Sequence, residues 1–212
     1  MKIVLIDDHA VVREGYRALI SRQSDMEVAG EFADAGSAYS FLLEESADIA
    51  ITDLNMPGLS ALEMIERLRQ RKSSTRVLVF TMYSNINYVT NALNAGAKAY
   101  VTKSSDAATL LHGVREVKAG RQYLSADVAQ RLALEQFGKD GSSLDHLTVR
   151  EFEILRLLVT GRRVDEIAEV LNLSPKTVRN VHYNVKKKLE VRDDIELVRR
   201  AIQLKIISPA EI

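Results

Sequence analysis

Cysteine is absent from the 212 residues, which excludes disulfides, thiolate metal sites and cysteine nucleophiles and is compatible with a reducing compartment. Long apolar runs are missing too. No segment reaches the roughly 18 apolar residues of a membrane span, and the opening MKIVLIDDHA breaks into two acids too early for a signal-peptide core. A soluble, cytoplasmic chain with no membrane partner is expected. Neither charge sign is in excess, since 29 Lys and Arg balance 29 Asp and Glu, so any affinity for nucleic acid has to come from a local patch. Disorder-prone composition is lacking as well: 46% hydrophobic and 27% charged residues are the proportions of a globular protein. At about 100 to 200 residues per domain, this length holds one large domain or two small ones.

What is present divides the chain. From Met1 to Gly120, short apolar runs at Ile3–Ile6, Val28–Ala33, Ile49–Thr52, Val77–Thr81 and Ala99–Thr102 read as strands. Amphipathic stretches at Val11–Ser21, Ser37–Glu45, Ala61–Gln70, Asn85–Ala95 and Ala107–Ala119 read as helices between them, with Gly96 and Gly120 as stops. Five βα units with nearly all-apolar first, third and fourth strands predict a doubly wound α/β domain around a parallel sheet. After Tyr123 no strand pattern is convincing. Ser125–Phe137 reads as one helix, and Gly138–Ser143, GKDGSS, as a flexible connection.

An all-helical pattern follows. Thr148 and Glu151 form a capping box, Leu147 and Phe152 a hydrophobic staple, and Gly161 ends that helix. Further helices are expected at Asp165–Leu171, at Pro175–Leu189 behind the N-cap Ser174, and at Asp194–Leu204 behind a second capping box of Asp193 and Glu196. The predicted organisation is residues 1–122, a connecting stretch 123–144 with a helix, and a small all-α domain 145–212.

In a doubly wound sheet, ligands bind outside the carboxyl ends of the strands. Asp7 and Asp8 follow the first strand, Asp53 the third, Thr81 ends the fourth and Lys103 follows the fifth. Taken singly, each reads as an ordinary solvated loop residue. Taken together, three crowded carboxylates repel one another, and a hard divalent cation such as Mg²⁺ is the simplest relief. Such an ion keeps waters that phosphate oxygens can replace, while Lys103 and the Thr81 hydroxyl supply positive charge and a hydrogen bond to a transferring phosphoryl group. Asp53 is then the candidate nucleophile.

Ser174–Lys188 contains Lys176, Arg179, Lys186, Lys187 and Lys188 and no acid. On a helical wheel, Val178, Val181, Val185 and Leu189 form an apolar stripe, with Lys176, Asn180, Tyr183 and Lys187 opposite and Arg179 and Asn184 flanking. Charge alone would also describe a solvated basic face. With the preceding Glu166–Leu171 helix and the Asn172-Leu173 turn, it reads as a helix-turn-helix whose second helix enters the major groove, Lys and Arg neutralising phosphates and Asn and Lys reading base edges.

The motifs IDDH (Ile6–His9), DLNMPG (Asp53–Gly58), FTMYS (Phe80–Ser84) and AYVTK (Ala99–Lys103) resemble a response-regulator receiver domain. LTVREFEIL, EIAEVLNLSPKTV and the Lys188-Leu189 pair resemble the LuxR-type helix-turn-helix, and the whole is similar to the NarL/FixJ class. The resemblance implies a flavodoxin-like (βα)5 receiver with 2-1-3-4-5 strand order and phosphorylation at Asp53 by a sensor histidine kinase or small phosphodonor. It implies a Mg²⁺ site of Asp7, Asp8, Asp53 and the Asn55 carbonyl, with Thr81, Tyr100 and Lys103 as phosphate and switch residues, the Tyr100 ring repacking inward. It further implies DNA contacts from Lys176, Thr177, Arg179, Asn180, Tyr183, Asn184 and Lys187, a homodimer on promoter DNA, and room for contact with RNA polymerase. Such a protein is a transcription regulator whose own chemistry stops at phosphoryl transfer to itself and self-dephosphorylation.

Three departures stand out. Ala61 occupies a position where the family often has Gly; Arg163, Val164 and Asp165 replace a polar run, with Asp165 the expected cap; and Val181 stands where His is common. His182 reads as a phosphate contact or a solvated residue rather than a metal ligand. Two rivals fit less well. A haloacid-dehalogenase-like phosphatase or phosphotransferase carries a second Asp two residues after the nucleophile, where this chain has Asn55, and the sensor domain of a quorum-type regulator would lack the acidic set. A DNA-binding regulator not gated by phosphorylation is the remaining alternative.

Overall fold

The computed structural model describes residues 1–56, 58–137, 147–171, 173–204 and 206–207. The chain forms two compact units, Met1–Phe137 and Gly138–Ile212. The expected flexible connection at 138–143 and the Asn172 half of the turn lie outside the described residues, as does Pro57. Among the described residues no helix is long and apolar enough to cross a membrane.

The first unit alternates strands β1 (Lys2–Ile6), β2 (Glu27–Phe32), β3 (Ile49–Thr52), β4 (Arg76–Thr81) and β5 (Ala99–Thr102) with helices α1 (Ala10–Ser21), α2 (Ala35–Glu44), α3 (Ala61–Gln70), α4 (Ile86–Ala95) and α5 (Ala107–Lys118). The sheet order is β2-β1-β3-β4-β5, all parallel, the flavodoxin-like arrangement. Helices cover both faces, so β1, β3, β4 and β5 bury side chains on both sides and tolerate an unbroken apolar run. One face packs Ile3, Leu5, Ile49, Ile51, Leu78, Phe80 and Val101 against Ile20 and the α5 residues Leu110, Val114 and Val117.

Helix starts follow local chemistry. Asp34, Ser60, Asn85 and Asp106 each accept a backbone N–H of the first turn, so α2 begins two residues earlier than the periodicity predicts and Asn85 is a cap rather than the first helical residue. Ala61 sits at N1 of α3, buried, where its Cβ is accommodated behind the Ser60 cap.

The stretch after Tyr123 differs from the sequence expectation. A sixth strand, β6 (Tyr123–Leu124), pairs parallel with β5, and α6 (Ala126–Phe137) packs against α4 and β5, so both belong to the first compact unit. Two residues carry no periodicity, which is why the strand escaped the pattern.

The second unit contains α7 (Val149–Val159), α8 (Val164–Val170), α9 (Pro175–Lys188) and α10 (Asp194–Gln203). Its core joins Ile154, Ile167, Ala168, Leu171 and Val178, with Val181 packed against them. The Thr148–Glu151 capping box forms, both ends of the staple are buried, and Gly161 takes φ +81°, the left-handed conformation that ends α7. Asp165 does not cap α8. Arg163 holds the cap position, and because a guanidinium has no acceptor, the capping runs one way, from the Arg163 N–H to the Glu166 carboxylate at 3.1 Å. Asp165 lies in the first turn, where its charge suits the helix dipole. The second expected capping box is also altered: Asp193 accepts the Glu196 N–H, but Glu196 reaches past it to the Arg192 N–H at 2.8 Å.

Candidate phosphoacceptor site and nucleic-acid face

Strand order reverses between β1 and β3, and the crevice at their carboxyl ends collects the polar residues. Asp7 and Asp53 are each 5% exposed. The backbone fixes both, the Asp53 N–H bonding to the Ile6 carbonyl and the Asp7 N–H to the Phe32 carbonyl, so neighbouring strands set where the carboxylates sit. Lys103 reaches across from the end of β5: its Nζ lies 2.5 Å from Asp7 Oδ2 and 2.7 Å from Asp53 Oδ2. Burial opposes the charge on this ammonium, but the bonds to Asp53 and Asp7 outweigh it and hold its pKa above the usual value of 10.5.

The remaining Asp53 oxygen, Oδ1, accepts the N–H of Leu54 at 2.6 Å and of Asn55 at 3.3 Å. Asp7 Oδ1 accepts the His9 N–H at 2.9 Å, and the His9 ring Nδ1 lies 3.2 Å from Asp7 Oδ1 and 2.8 Å from Asp8 Oδ1. Arg13 donates to the Asp7 carbonyl. In the sequence His9 belongs to the IDDH motif but nothing in its spacing assigns it to the site, and Arg13, one helical turn on, carries no signal at all.

Among the described residues, Asp7, Asp8 and His9 can offer ligand atoms that all lie within 4.8 Å of one another. The carboxylates are the hard oxygen donors that suit Mg²⁺, and Asp8, more exposed than Asp7, leaves room for water ligands. Asp53 joins this group through Lys103 rather than by direct approach.

Thr81 is fully buried at the end of β4, with its Oγ1 accepting the Tyr83 N–H at 3.5 Å. Tyr100 is also fully buried, and its hydroxyl donates to the Tyr83 carbonyl at 2.8 Å. Burial first, then the neighbouring Tyr88 and the Asp53 charge, push the phenol well above its usual pKa, so it is a fixed donor. The resemblance implies a ring that repacks inward; here the ring is inward.

On α9, Val178, Val185 and Leu189 are buried and Val181 is half-buried, whereas Lys176, Thr177, Arg179, Asn180, Tyr183, Asn184 and Lys187 are all exposed. Not every base on this helix is available. Lys188 donates to Glu151 at 2.6 Å, and Lys186 donates to Asp194 at 2.9 Å. His182 is neither solvated nor a free phosphate contact, as its Nε2 lies 2.8 Å from the same Asp194 oxygen and ties α9 to α10. Lys176, Arg179 and Lys187 make no ion pair among the described residues, which leaves an exposed basic face ready for anions.

Residues 3–115 match the response regulator receiver domain, and residues 145–201 match the LuxR family of bacterial regulatory proteins. The chain belongs to the two-component response regulators. Oxygen regulatory protein NreC of Staphylococcus haemolyticus is 37% identical over 215 residues, covering 98% of this chain and 99% of NreC. Response regulator UvrY of Escherichia coli is 30% identical over 205 residues, covering 96% and 94%. In structure, the regulator is similar to RcsB from Salmonella enterica serovar Typhimurium bound to promoter DNA in the presence of phosphomimetic BeF3⁻, with a TM-score of 0.74, 28% identity and coverage of 98% and 99%. A receiver followed by a LuxR-type DNA-binding domain makes this response regulator a regulator of transcription.

Proposed function

We propose that this response regulator accepts a phosphoryl group on Asp53 from a sensor histidine kinase or a small phosphodonor, and that phosphorylation controls dimerisation and promoter binding. The observation that carries the reading is the convergence of Asp53, Asp7 and Lys103 at the switch point of the sheet. An Asp53 oxygen forms the bond to phosphorus as the bond to the donor breaks; the leaving imidazole or acetate departs with the electron pair, and the imidazole takes up a proton. Asp7, Asp8, Asp53 and the Asn55 carbonyl would hold Mg²⁺, which when bound neutralises charge on the phosphoryl oxygens. Lys103 moves from the carboxylates to a phosphoryl oxygen, and Thr81 supplies a hydroxyl donor. Tyr100 holds the backbone after β4 through Tyr83.

In this reading the first compact unit is the receiver, residues 1–122 with β6 and α6 built onto them, and residues 145–212 form the DNA-binding domain. The exposed residues Lys176, Thr177, Arg179, Asn180, Tyr183, Asn184 and Lys187 meet DNA, as a homodimer on promoter sites, in the cytoplasm. The likeness to RcsB bound to a promoter supports this arrangement. Intact-mass analysis after incubation with acetyl phosphate and Mg²⁺ tests the chemistry. One acid-labile phosphoryl group is expected on the wild type and none on Asp53→Asn; the same mass gain on both would place the nucleophile elsewhere.

A further inference from the structure

We infer that Asp127, at the start of α6, is a positioning residue that reports the state of the phosphoacceptor site to the segment leading toward the DNA-binding domain. The inference rests on the assignment of Asp53 as phosphoacceptor and concerns what happens next within the first unit.

The observation is a closed set of hydroxyls around Lys103. Thr102, the residue before it, is buried on β5 and donates its Oγ1 hydrogen to Asp127 Oδ2 at 2.9 Å. Ser104 and Ser105, the two residues after it, place their Oγ atoms 2.9 Å and 3.2 Å from the same Thr102 oxygen. A threonine hydroxyl has one hydrogen to give and two lone pairs to receive. With Asp127 taking the hydrogen and the serines donating to the lone pairs, Thr102 is saturated; it is the buried member, whereas Ser105 and Asp127 are half-buried and Ser104 is exposed, so loss of any one partner leaves the Thr102 oxygen unmatched away from water. The cost of that mismatch makes the arrangement two-state rather than graded.

Both sides of Lys103 therefore end on one carboxylate of α6. The chain enters that helix directly from the sheet: the Tyr123 N–H bonds to the Lys98 carbonyl and the Ser125 N–H to the Tyr100 carbonyl, so β6 and the first residue before α6 are built onto β5. When Lys103 exchanges the oxygens of Asp7 and Asp53 for those of a phosphoryl group and Thr81 turns toward the same group, the bond from the Lys103 N–H to the Thr81 carbonyl at 2.8 Å passes the movement to the backbone of 102–105. A displaced serine then offers Thr102 a different acceptor, and Asp127 loses its donor. Asp127 stays ionised throughout: burial works against its charge, but the Thr102 hydroxyl and the amides at the helix start hold its pKa below the usual value. Losing Thr102 thus leaves a charged carboxylate in search of water, which loosens the first turn of α6.

Amide hydrogen exchange of residues 125–137 in the full-length protein with Mg²⁺, with and without beryllofluoride, tests this, alongside the acetyl phosphate labelling rate of each variant. In the wild type, beryllofluoride is expected to speed exchange in α6 by about tenfold, the scale of ordinary allosteric coupling. Thr102→Val and Asp127→Ala should exchange fast in both conditions while labelling at the wild-type rate, and Thr102→Ser should restore the response. Labelling of Asp53 with unchanged α6 exchange in the wild type would overturn the inference and leave the phosphoacceptor assignment standing. So would a full response in both disruptive variants. Absence of labelling in the wild type would overturn both.

Discussion

Glu151 shows how much one side chain can hold. Its carboxylate closes the capping box by accepting the Thr148 N–H at 2.8 Å and also accepts Lys188 Nζ at 2.6 Å, which joins the start of α7 to the end of α9. Burial raises its pKa, but Lys188 and the Thr148 bonds outweigh that and hold it below its usual value of 4.5. A depressed folded pKa gives stability that is present above the unfolded value and is lost as pH falls through the folded one. Glu151→Gln should therefore cost about 1 kcal/mol at pH 7, allowing for the partial exposure of Lys188, and the difference should close below the usual carboxylate range. Urea unfolding of the second unit at pH 7 and pH 3.5 checks it, and a difference that does not shrink in acid would refute the charge-based account. The capping box was legible from spacing; Lys188 as its third member was not, because 37 residues separate the partners.

At the scale of the element, α9 packs its apolar stripe into the second unit and, in the proposed function, turns its other face to DNA, and its lysines divide between the two. Lys186 and Lys188 are held in ion pairs with Asp194 and Glu151, whereas Lys176 and Lys187 are exposed on the face opposite Val178 and Val185. Lys176→Ala or Lys187→Ala should each lower the slope of log affinity against log salt by about one, the value of one lost phosphate contact, with unfolding unchanged. Lys188→Ala should lower stability instead. Binding of genomic DNA fragments across a salt series, with thermal unfolding of the same variants, separates the two sets; equal slopes for all would remove the division. The wheel already placed Lys187, and not Lys186 or Lys188, on the face opposite the apolar stripe; what it could not supply was where those two lysines go, since their partners lie on α10 and α7. The two-residue strand β6 escaped for a related reason. Its best signal was Gly113 inside α5, where a Cβ would lie 2.8 Å from Tyr123 Cδ1: the helix forgoes a side chain so that the Tyr123 ring of β6 can pack.

For the whole molecule, the phosphoryl group has to favour one arrangement of the chain over another by its own contacts, and ordinary coupling energies of about 1 to 3 kcal/mol correspond to a factor of roughly 5 to 150 in affinity. Titration of promoter DNA with the full-length protein should show tighter binding with beryllofluoride and Mg²⁺ by a factor in that range. Thr81→Ala should reduce the ratio without altering binding by residues 138–212 alone. Tyr100 sharpens the expectation: its ring is already buried with its hydroxyl on Tyr83, so the ratio should fall toward the lower end. Equal affinity with and without beryllofluoride would mean a regulator that is not gated by phosphorylation.

Apolar runs of period one for buried strands, helical stripes, caps and strand-end acids are local, and the sequence by itself determined them: five βα units, the Asp7, Asp8, Asp53, Thr81 and Lys103 set, and the exposed face of α9. Tertiary structure alone decided which charges meet. That Lys103 spans Asp7 and Asp53, that Asp194 collects His182 and Lys186, and that Asp127 closes the hydroxyl set on Thr102 depend on how strands and helices pack. Local patterns follow from backbone geometry within a few residues, whereas an ion pair across the fold depends on a few ångströms of side-chain reach between segments distant in the chain, and no periodicity encodes that distance.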